Sequence, residues 1–184
     1  SSPAVGDVDN DGQLEVVFGN SAGKLYIINY DGTQQLAYTI LGFIEGTPAL
    51  VDIDGDQDLE IAFTTTTTSG GQLYVIHHNG ITMPGFPKEL GSMWAGPAVH
   101  DIDNDGAYDV VCSTYDKEVY AIEVNGGAVK AGFPVVLEGR LDVAPTIVDV
   151  DRDGDYEIAV GSNDGELFVL NHDGTIFTQY DTGD

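Results

Sequence analysis

Short apolar runs recur along the chain and are separated by polar turns. Residues 14–18 and 25–28 are rich in β-branched and aromatic side chains, and both runs are too short for an ordinary helix. A shorter apolar run, residues 3–8, precedes them. After the second long run comes Asp31-Gly32, a dipeptide that supplies the positive φ angles of a tight hairpin turn, so another strand should fold back at once. The pattern therefore predicts short antiparallel strands and almost no helix.

The same arrangement occurs four times. The segments 3–15, 48–60, 97–109 and 145–157 align without a gap, and a Gly-containing hairpin dipeptide follows in every unit. Because no linker or change in composition separates the units, we predict one continuous array of repeats of about 46 residues. The predicted units are approximately residues 1–46, 47–96, 97–144 and 145–184.

Four antiparallel strands in a unit of this length are typical of a β-propeller blade. We therefore predict an all-β fold, a β-propeller made of four-stranded antiparallel blades. A parallel β-solenoid is the alternative, but its repeats are shorter and lack hairpin dipeptides. The pattern leaves open whether four blades close alone, pair with a second chain into a ring of eight, or belong to a longer chain. Since the sequence begins at Ser1 rather than Met, we expect an excerpt or a processed product, and exposed blade edges are expected to self-associate.

The charge excludes two classes of partner. The chain has 184 residues, of which 6 are basic and 31 acidic, and its formal net charge is −25. Such a surface repels nucleic acid and anionic membranes, and no apolar run reaches the roughly 18 residues that suggest a membrane span. The single cysteine, Cys112, forms no internal disulfide and is expected to be a buried strand residue. Something other than disulfides must offset the repulsion between acidic groups.

A nine-residue acidic loop lies between the first and second predicted strands of every unit. Acidic residues occupy positions 1, 3, 5 and 9 of each loop, and glycine occupies position 6 in the first, third and fourth loops. Hard oxygen ligands around a sharp turn suit Ca²⁺, which takes about six to eight oxygens, better than Mg²⁺ or Zn²⁺. Positions 1, 3, 5 and 9 would supply carboxylates and position 7 a backbone carbonyl. The predicted ligands are Asp7, Asp9, Asp11, Gln13 and Glu15; Asp52, Asp54, Asp56, Asp58 and Glu60; Asp101, Asp103, Asp105, Ala107 and Asp109; and Asp149, Asp151, Asp153, Asp155 and Glu157.

We therefore predict up to four Ca²⁺ ions, one per repeat, with metal binding coupled to folding. The alternative is that the loops are solvated acidic turns, which four copies in register disfavour. The second loop departs from the others because Gln57 stands where they have glycine, although Gly55 could relax that turn.

These loops carry a family resemblance. The pattern Asp-x-Asp-x-Asp-Gly-x-x-Asp/Glu, followed by a strand that ends in Phe18-Gly19 or Val160-Gly161, resembles the FG-GAP repeat, which integrin α-subunit propellers share, and the related VCBS repeat. Gly85-Phe86-Pro87 and Gly132-Phe133-Pro134 also look like elements of secreted bacterial FG-GAP proteins. The resemblance implies a propeller with calcium in the loop between strands one and two, on an extracellular or cell-surface protein.

The leading functional hypothesis is a non-enzymatic module for adhesion, protein or glycan recognition, or surface assembly. Two segments that vary between units are candidates for partner contact: the insert 64–71, and the connections that bear Phe43-Ile44, Met93-Trp94 and Arg140-Leu141. The alternative is a propeller of a secreted polysaccharide-active enzyme such as a rhamnogalacturonan lyase. An enzyme would need a cluster of basic groups, but the six are scattered, and the four histidines show no metal or triad spacing. These residues are Lys24, Lys88, Lys117, Lys130, Arg140 and Arg152, and His77, His78, His100 and His172.

Overall fold

A computed structural model describes residues 1–183 as four four-stranded antiparallel sheets, which we call blades one to four. Blade one comprises β1 (Ala4–Gly6), β2 (Glu15–Gly19), β3 (Lys24–Ile28) and β4 (Gln34–Thr39). Blade two comprises β5 (Ala49–Val51), β6 (Glu60–Thr64), β7 (Gly71–Ile76) and β8 (Lys88–Leu90). Blade three comprises β9 (Ala98–His100), β10 (Asp109–Ser113), β11 (Glu118–Glu123) and β12 (Val135–Val136). Blade four comprises β13 (Thr146–Val148), β14 (Glu157–Gly161), β15 (Glu166–Leu170) and β16 (Ile176–Asp181).

The prediction of an all-β fold built from four-stranded antiparallel blades is confirmed. Residues 1–183 contain no helix, and therefore none that could cross a membrane. In every blade the strand order follows the chain, so each blade is a simple meander. In blades one and four a tight hairpin of five residues joins the third and fourth strands, as predicted. In blades two and three the prediction that a strand folds back at once is wrong: residues 77–87 and 124–134 separate these strands, and only the single bridges Ile76↔Thr82 and Ile122↔Val129 follow the hairpin dipeptides.

The meander places the loops on two opposite faces of the array. One, the acidic face, carries the four acidic loops and the hairpins between the third and fourth strands of each blade. The other, the connection face, carries the turns between the second and third strands and the connections between blades, residues 40–48, 91–97 and 137–145. The candidate metal ligands and the candidate partner-contact segments are therefore on different faces.

The blades pack against one another through alternate side chains of their strands. Three buried hydrophobic clusters lie between successive blades, one for each neighbouring pair. Between blades one and two, the buried residues are Val8, Val17, Leu25, Ile27, Ile44, Ile61, Phe63, Tyr74 and Ile76. Cys112 is buried between blades two and three, where loss of solvation raises the pKa of its thiol to about 12. The core is thus divided into layers between blades.

The first and last blades each keep one uncovered surface. Phe18 stacks on Tyr26 with ring centroids 5.4 Å apart, but both stay half-buried, whereas the equivalent pair in blade two, Phe63 and Tyr74, is buried. At the other end, Leu167 of blade four is 43% exposed. Within residues 1–183 no buried cluster joins blade four to blade one, so the array is open.

Candidate metal centres and the opposite face

The four acidic loops share one backbone conformation. At position 1, Asp7 accepts hydrogen bonds from the backbone N–H groups of Asp11 and Gly12, at 3.0 and 2.9 Å. Asp101 accepts the equivalent two bonds from Asp105 and Gly106. Asp52 accepts from positions 4 and 6 of its loop, Gly55 and Gln57, and Asp149 accepts from position 4, Arg152. Local bonds of this kind from aspartate to the backbone stabilise tight turns. The first aspartate therefore stabilises the turn of its own loop.

Two positions in each loop have left-handed backbone. Position 4 has φ between 55° and 80°, at Asn10, Gly55, Asn104 and Arg152. Position 6 has φ between 80° and 108°, at Gly12, Gln57, Gly106 and Gly154. Gln57 thus adopts the glycine conformation, at a cost of about 1–2 kcal/mol for a residue with a Cβ atom. Gly55 lowers the strain at position 4 of the same loop, which keeps the shape of the other three.

The acid at position 9 reaches back across each loop. Glu15 Oε2 accepts the backbone N–H of Val8 at 3.0 Å, and Glu60, Asp109 and Glu157 accept the corresponding N–H at 2.8, 3.3 and 2.8 Å. All four position-9 side chains are buried. Burial raises the pKa of Glu15 and of Glu60, and it raises the pKa of Asp109 to about 6. Ionised carboxylates at these places need a positive charge nearby.

Carboxylates from three positions meet in each of the first, third and fourth loops. The clusters join positions 1, 3 and 9, with ligand atoms within 4.8 Å of one another: Asp7, Asp9 and Glu15; Asp101, Asp103 and Asp109; Asp149, Asp151 and Glu157. In the second loop, one cluster joins Asp52, Asp54 and Asp56, and another joins Asp54, Glu60 and His77. The structure therefore places position 9, at the start of the second strand, beside positions 1 and 3 in three loops. In the second loop, position 9 meets position 3 and His77.

Positions 5 and 7 lie differently from the other acidic positions. At position 5, Asp11, Asp56, Asp105 and Asp153 each accept a hydrogen bond from the backbone N–H of position 7, which is Gln13, Asp58, Ala107 or Asp155. Among the described residues, Asp11, Asp105 and Asp153 belong to none of the clusters. The two acids at position 7 pair with histidines, Asp58 with His78 at 2.9 Å and Asp155 with His172 at 3.4 Å.

The first loop has the shortage of donors that a cation relieves. Gln35 Nε2 donates to Asp9 Oδ2 at 3.0 Å, yet Asp9 Oδ1 and Gln35 Oε1 are shielded from solvent without a hydrogen-bond partner. Buried acceptors without donors are costly unless a positive charge reaches them. The oxygen-rich donor sets in the loops suit a hard divalent cation such as Ca²⁺. The residues of the first loop therefore fit a calcium ion.

The third loop contains a positive charge of its own. Lys130 Nζ lies 2.8 Å from Asp103 Oδ2 and 3.1 Å from Asp109 Oδ2. Partial burial disfavours ionisation of Asp103, but the hydrogen bond and charge of Lys130 outweigh it, and the pKa of Asp103 is lowered. Sequence reasoning missed Lys130, Gln35 and His77 because all three lie outside the nine-residue loops. Counted from the hairpin glycines Gly32 and Gly126, Gln35 lies three residues on and Lys130 four, so alignment of the repeats does not bring the two together.

The connections between blades each bury one side chain and expose its neighbour. Ile44, Met93 and Leu141 are buried between blades, whereas Phe43, Trp94 and Arg140 are exposed on the connection face. The buried residue holds the connection against the core, and the chain geometry then turns the adjacent residue outwards. The structure thus presents one large side chain at each boundary between blades.

Three of these surface groups form an aromatic cluster, which we define as Trp94, Tyr115 and Arg140. The rings of Trp94 and Tyr115 are 6.4 Å apart, and the Arg140 guanidinium lies 4.4 Å from the Tyr115 ring centre. Arg140 also donates to Asp142 at 3.1 Å. Trp94 is 47% exposed, so it does not pack fully between blades. The cluster is a preformed, partly apolar surface with one positive charge.

The threonine-rich insert is largely buried. Thr64, Thr65 and Thr66 are shielded from solvent, and the hydroxyl of Thr64 donates to the carbonyl of Ala95 at 2.6 Å. Glycosylation of these three threonines is therefore excluded in the folded chain. Beyond them, Thr67 and Thr68 line a shallow groove with Leu41 and Phe43 on the connection face.

Comparison with known families identifies part of the chain. Residues 7–63 match the family described as the FG-GAP-like repeat, and this segment contains the first and second acidic loops. The resemblance that the loops predicted is thus confirmed. No curated protein sequence matches the chain.

Solved structures similar to the chain have the same fold but are much longer. The V. cholerae biofilm matrix protein Bap1 has a TM-score of 0.74 and 21% identity, over 98% of this chain and 28% of its own. BamB from Moraxella catarrhalis has a TM-score of 0.66 and 24% identity, over 98% of this chain and 48% of its own. The Pseudomonas aeruginosa PilY1 C-terminal domain has a TM-score of 0.64 and 17% identity, over 86% of this chain and 38% of its own. The chain therefore spans less than half the length of these three structures. It is an all-β, propeller-like array that carries an FG-GAP-like repeat at residues 7–63.

Proposed function

We propose that the chain is a calcium-stabilised, non-enzymatic recognition module of an extracellular or cell-surface protein. In this proposal calcium binds the acidic face, and a protein or glycan partner binds the connection face. The observation that carries the proposal is that the carboxylate clusters lie on the acidic face, whereas exposed aromatic side chains lie on the opposite, connection face. The fold-level similarity to a biofilm matrix protein is compatible with such a role.

Calcium would join two strands in each occupied blade. In the first blade, Asp7 and Asp9 follow β1, whereas Glu15 begins β2, so an ion held by these three carboxylates ties the loop to the start of the second strand. The ion would also cancel repulsion among carboxylates that the fold forces together. Because the unfolded chain has no such cluster, the binding free energy becomes folding free energy.

Replacing one ligand is expected to remove one ion. Asp9→Asn keeps the shape of the side chain but removes its charge, so we expect the number of bound calcium ions to fall by one per chain. Isothermal titration of calcium into decalcified protein measures that number. Asp31→Asn is the matched control, because Asp31 is exposed in the β3–β4 hairpin, bonds Thr33 and lies outside the clusters. If Asp9→Asn and wild type bind the same number of ions, the ligand assignment is wrong.

The aromatic cluster supports the recognition part of the proposal. Trp, Tyr and Arg are the residues that contribute most to binding energy at interfaces, and flat aromatic rings also stack on sugar rings. Trp94, Tyr115 and Arg140 come from three different loops that the blades hold in place, so little ordering is needed when a partner binds. Because Arg140 is the positive group of the cluster, an acceptor on the partner would bind there.

Trp94→Ala is expected to weaken partner binding about tenfold or more, since it removes the largest side chain of the cluster. The measurement is binding of labelled protein to an array of neutral and acidic oligosaccharides in calcium buffer. Tyr30→Ala is the control, because Tyr30 is equally a large exposed aromatic residue but lies in a hairpin on the acidic face. Equal binding by wild type and Trp94→Ala, or an equal loss in Tyr30→Ala, would contradict the placement of the partner surface.

The enzymatic alternative needs basic groups gathered at one site. Lys130 is engaged with Asp103 and Asp109 on the acidic face, whereas Arg140 lies on the connection face. These two cations therefore cannot act on one substrate group. No observation on the described residues favours the polysaccharide-active alternative over a binding module.

A further inference from the structure

The four acidic loops are similar in backbone but differ in one contact from outside the loop. The residue after the first cross-strand pair that follows the third strand is Gln35 in blade one, Met83 in blade two, Lys130 in blade three and Phe177 in blade four. Met83 packs in the core between blades two and three, and Phe177 is 45% exposed. Gln35 brings a neutral amide to Asp9, whereas Lys130 brings an ammonium group to Asp103 and Asp109. Among residues 1–183, the third repeat is the only one in which a lysine or arginine side chain pairs with carboxylates of the acidic loop.

The third loop is also shaped for the lysine. Its position 9 is Asp109, whereas the other three loops have glutamate there. The shorter side chain draws the carboxylate back towards the strand, and its bond to the N–H of Ile102 is correspondingly long, at 3.3 Å. Lys130 is 8% exposed and fills the space beside this carboxylate. The two ion pairs stabilise the buried lysine, because an unpaired buried ammonium group would be strongly unfavourable.

We propose that the ammonium group of Lys130 is the resident cation of the third acidic loop and takes the place of calcium there, so that the chain binds three calcium ions and not four. This inference rests on the proposed calcium function of the other loops. Lys130 occupies one oxygen of Asp103 and one of Asp109, which are two of the three carboxylates in the cluster. A divalent ion on the same carboxylates would lie next to a fixed positive charge that is shielded from water, and like charges repel strongly in such surroundings.

The carboxylate oxygens that Lys130 leaves free in the third loop do not make up a calcium site. Asp103 Oδ1 and Asp109 Oδ1 have no hydrogen-bond partner, as in the first loop. The difference is that the carboxylate groups to which they belong already carry the lysine charge on their other oxygen. With Asp101, the three carboxylates and one ammonium of this cluster carry a formal charge of −2, against −3 for the three carboxylates of the first or the fourth loop, so the third loop attracts a divalent ion less strongly.

The experiment exchanges the residues of the first and third repeats. Bound calcium is counted in decalcified full-length protein by titration calorimetry and by atomic emission after dialysis, for wild type, Lys130→Met, Lys130→Gln and Gln35→Lys. Met83 and Gln35 are the natural residues at the equivalent places of blades two and one. We expect three ions in wild type, four in Lys130→Met and Lys130→Gln, and two in Gln35→Lys.

A stability measurement keeps the test independent of ion counting. In EDTA, Lys130→Met is expected to melt at lower temperature than wild type, since buried Asp109 loses its partner, and excess calcium is expected to remove most of that difference. Four ions in wild type, an unchanged count in both Lys130 variants, or an unchanged count in Gln35→Lys overturns the inference. Binding of no calcium by wild type overturns the proposed function itself, which is a different outcome.

Discussion

Chelation of calcium with EDTA is expected to lower the melting temperature of the protein by about 15 °C or more. An ion present at one hundred times its dissociation constant stabilises the folded state by about 2.7 kcal/mol, so three sites contribute about 8 kcal/mol. For a chain of this size, 1 kcal/mol corresponds to roughly 2–4 °C in melting temperature. Differential scanning calorimetry in calcium and in EDTA measures the shift.

The large size of this effect follows from the charge of the chain. Three divalent ions would change the formal net charge from −25 to about −19, and they would act where carboxylates are buried and crowded. Without ions, the carboxyl groups of Glu15 and Glu60 are forced to share space with other acids, and burial raises the pKa of both above the usual 4.5. No disulfide supplements the core, since Cys112 is the single cysteine.

The pH dependence of stability in EDTA is a second test of repulsion among the buried carboxyl groups. A carboxyl group whose pKa is higher in the folded than in the unfolded chain binds more protons when folded, so stability falls as pH rises through the window between the two pKa values. The calcium-free protein is therefore expected to be more stable slightly above pH 4.5 than at pH 7, as Glu15 and Glu60 take up protons. In calcium the trend is expected to reverse, because protons compete with the ion for the same oxygens.

Controls separate specific binding from screening of charge. Added sodium chloride at high concentration screens surface repulsion, so it should recover only part of the loss in EDTA, whereas excess calcium should recover nearly all of it. Magnesium should recover less than calcium, because it keeps its waters and prefers a tight octahedral site. A melting temperature that is the same in calcium and in EDTA would refute calcium stabilisation.

Phe63→Ala is expected to destabilise the protein by about 3–5 kcal/mol. Phe63 is fully buried between blades one and two, stacked on Tyr74 with ring centroids 4.9 Å apart and edge-on to Tyr38 of blade one at 6.4 Å. Its removal leaves a cavity in the hydrophobic cluster that joins the two blades. Urea unfolding in calcium buffer, followed by circular dichroism, measures the free energy of unfolding.

Phe18→Ala is the matched control, because Phe18 occupies the equivalent strand position in blade one. There the ring stacks on Tyr26 but faces the uncovered side of the array, so we expect a loss of about 1 kcal/mol. A loss as large as that of Phe63→Ala would contradict the open array and would mean that this surface is covered in solution. Measurement at two protein concentrations would then test the predicted self-association.

Local sequence patterns predicted the strands, the hairpins and the acidic loops. Apolar residues at alternate strand positions, such as Val17 in β2 and Leu25 in β3, indicate which side of the strand is buried. Dipeptides such as Asp31-Gly32 indicate where the chain reverses direction. Even the exception followed the pattern, since Gln57 accepts the left-handed conformation that its glycine counterparts adopt. Strand pattern and turn conformation are determined by residues that are close in the sequence, so alignment of the four repeats is enough to predict them.

The groups that meet in each acidic loop depend on longer-range packing. Position 9 joins positions 1 and 3 because the second strand pairs with the first, and position 5 turns instead to the backbone of position 7. Lys130 reaches Asp103 because the segment between β11 and β12 folds back beside the acidic loop, where Val129 pairs with Ile122. No spacing rule in the sequence connects residues 27 positions apart, so this contact could not be predicted from the loop motif.

The sequence by itself determined that the chain is a fourfold array of strands with an acidic loop in every unit, because periodicity and turn chemistry act over a few residues. Only the tertiary structure decided that the array is open, that Trp94, Tyr115 and Arg140 converge on the connection face, and that one loop carries its own cation. These features arise where separate blades and loops pack together, and packing between distant segments is set by the shape and charge of whole surfaces.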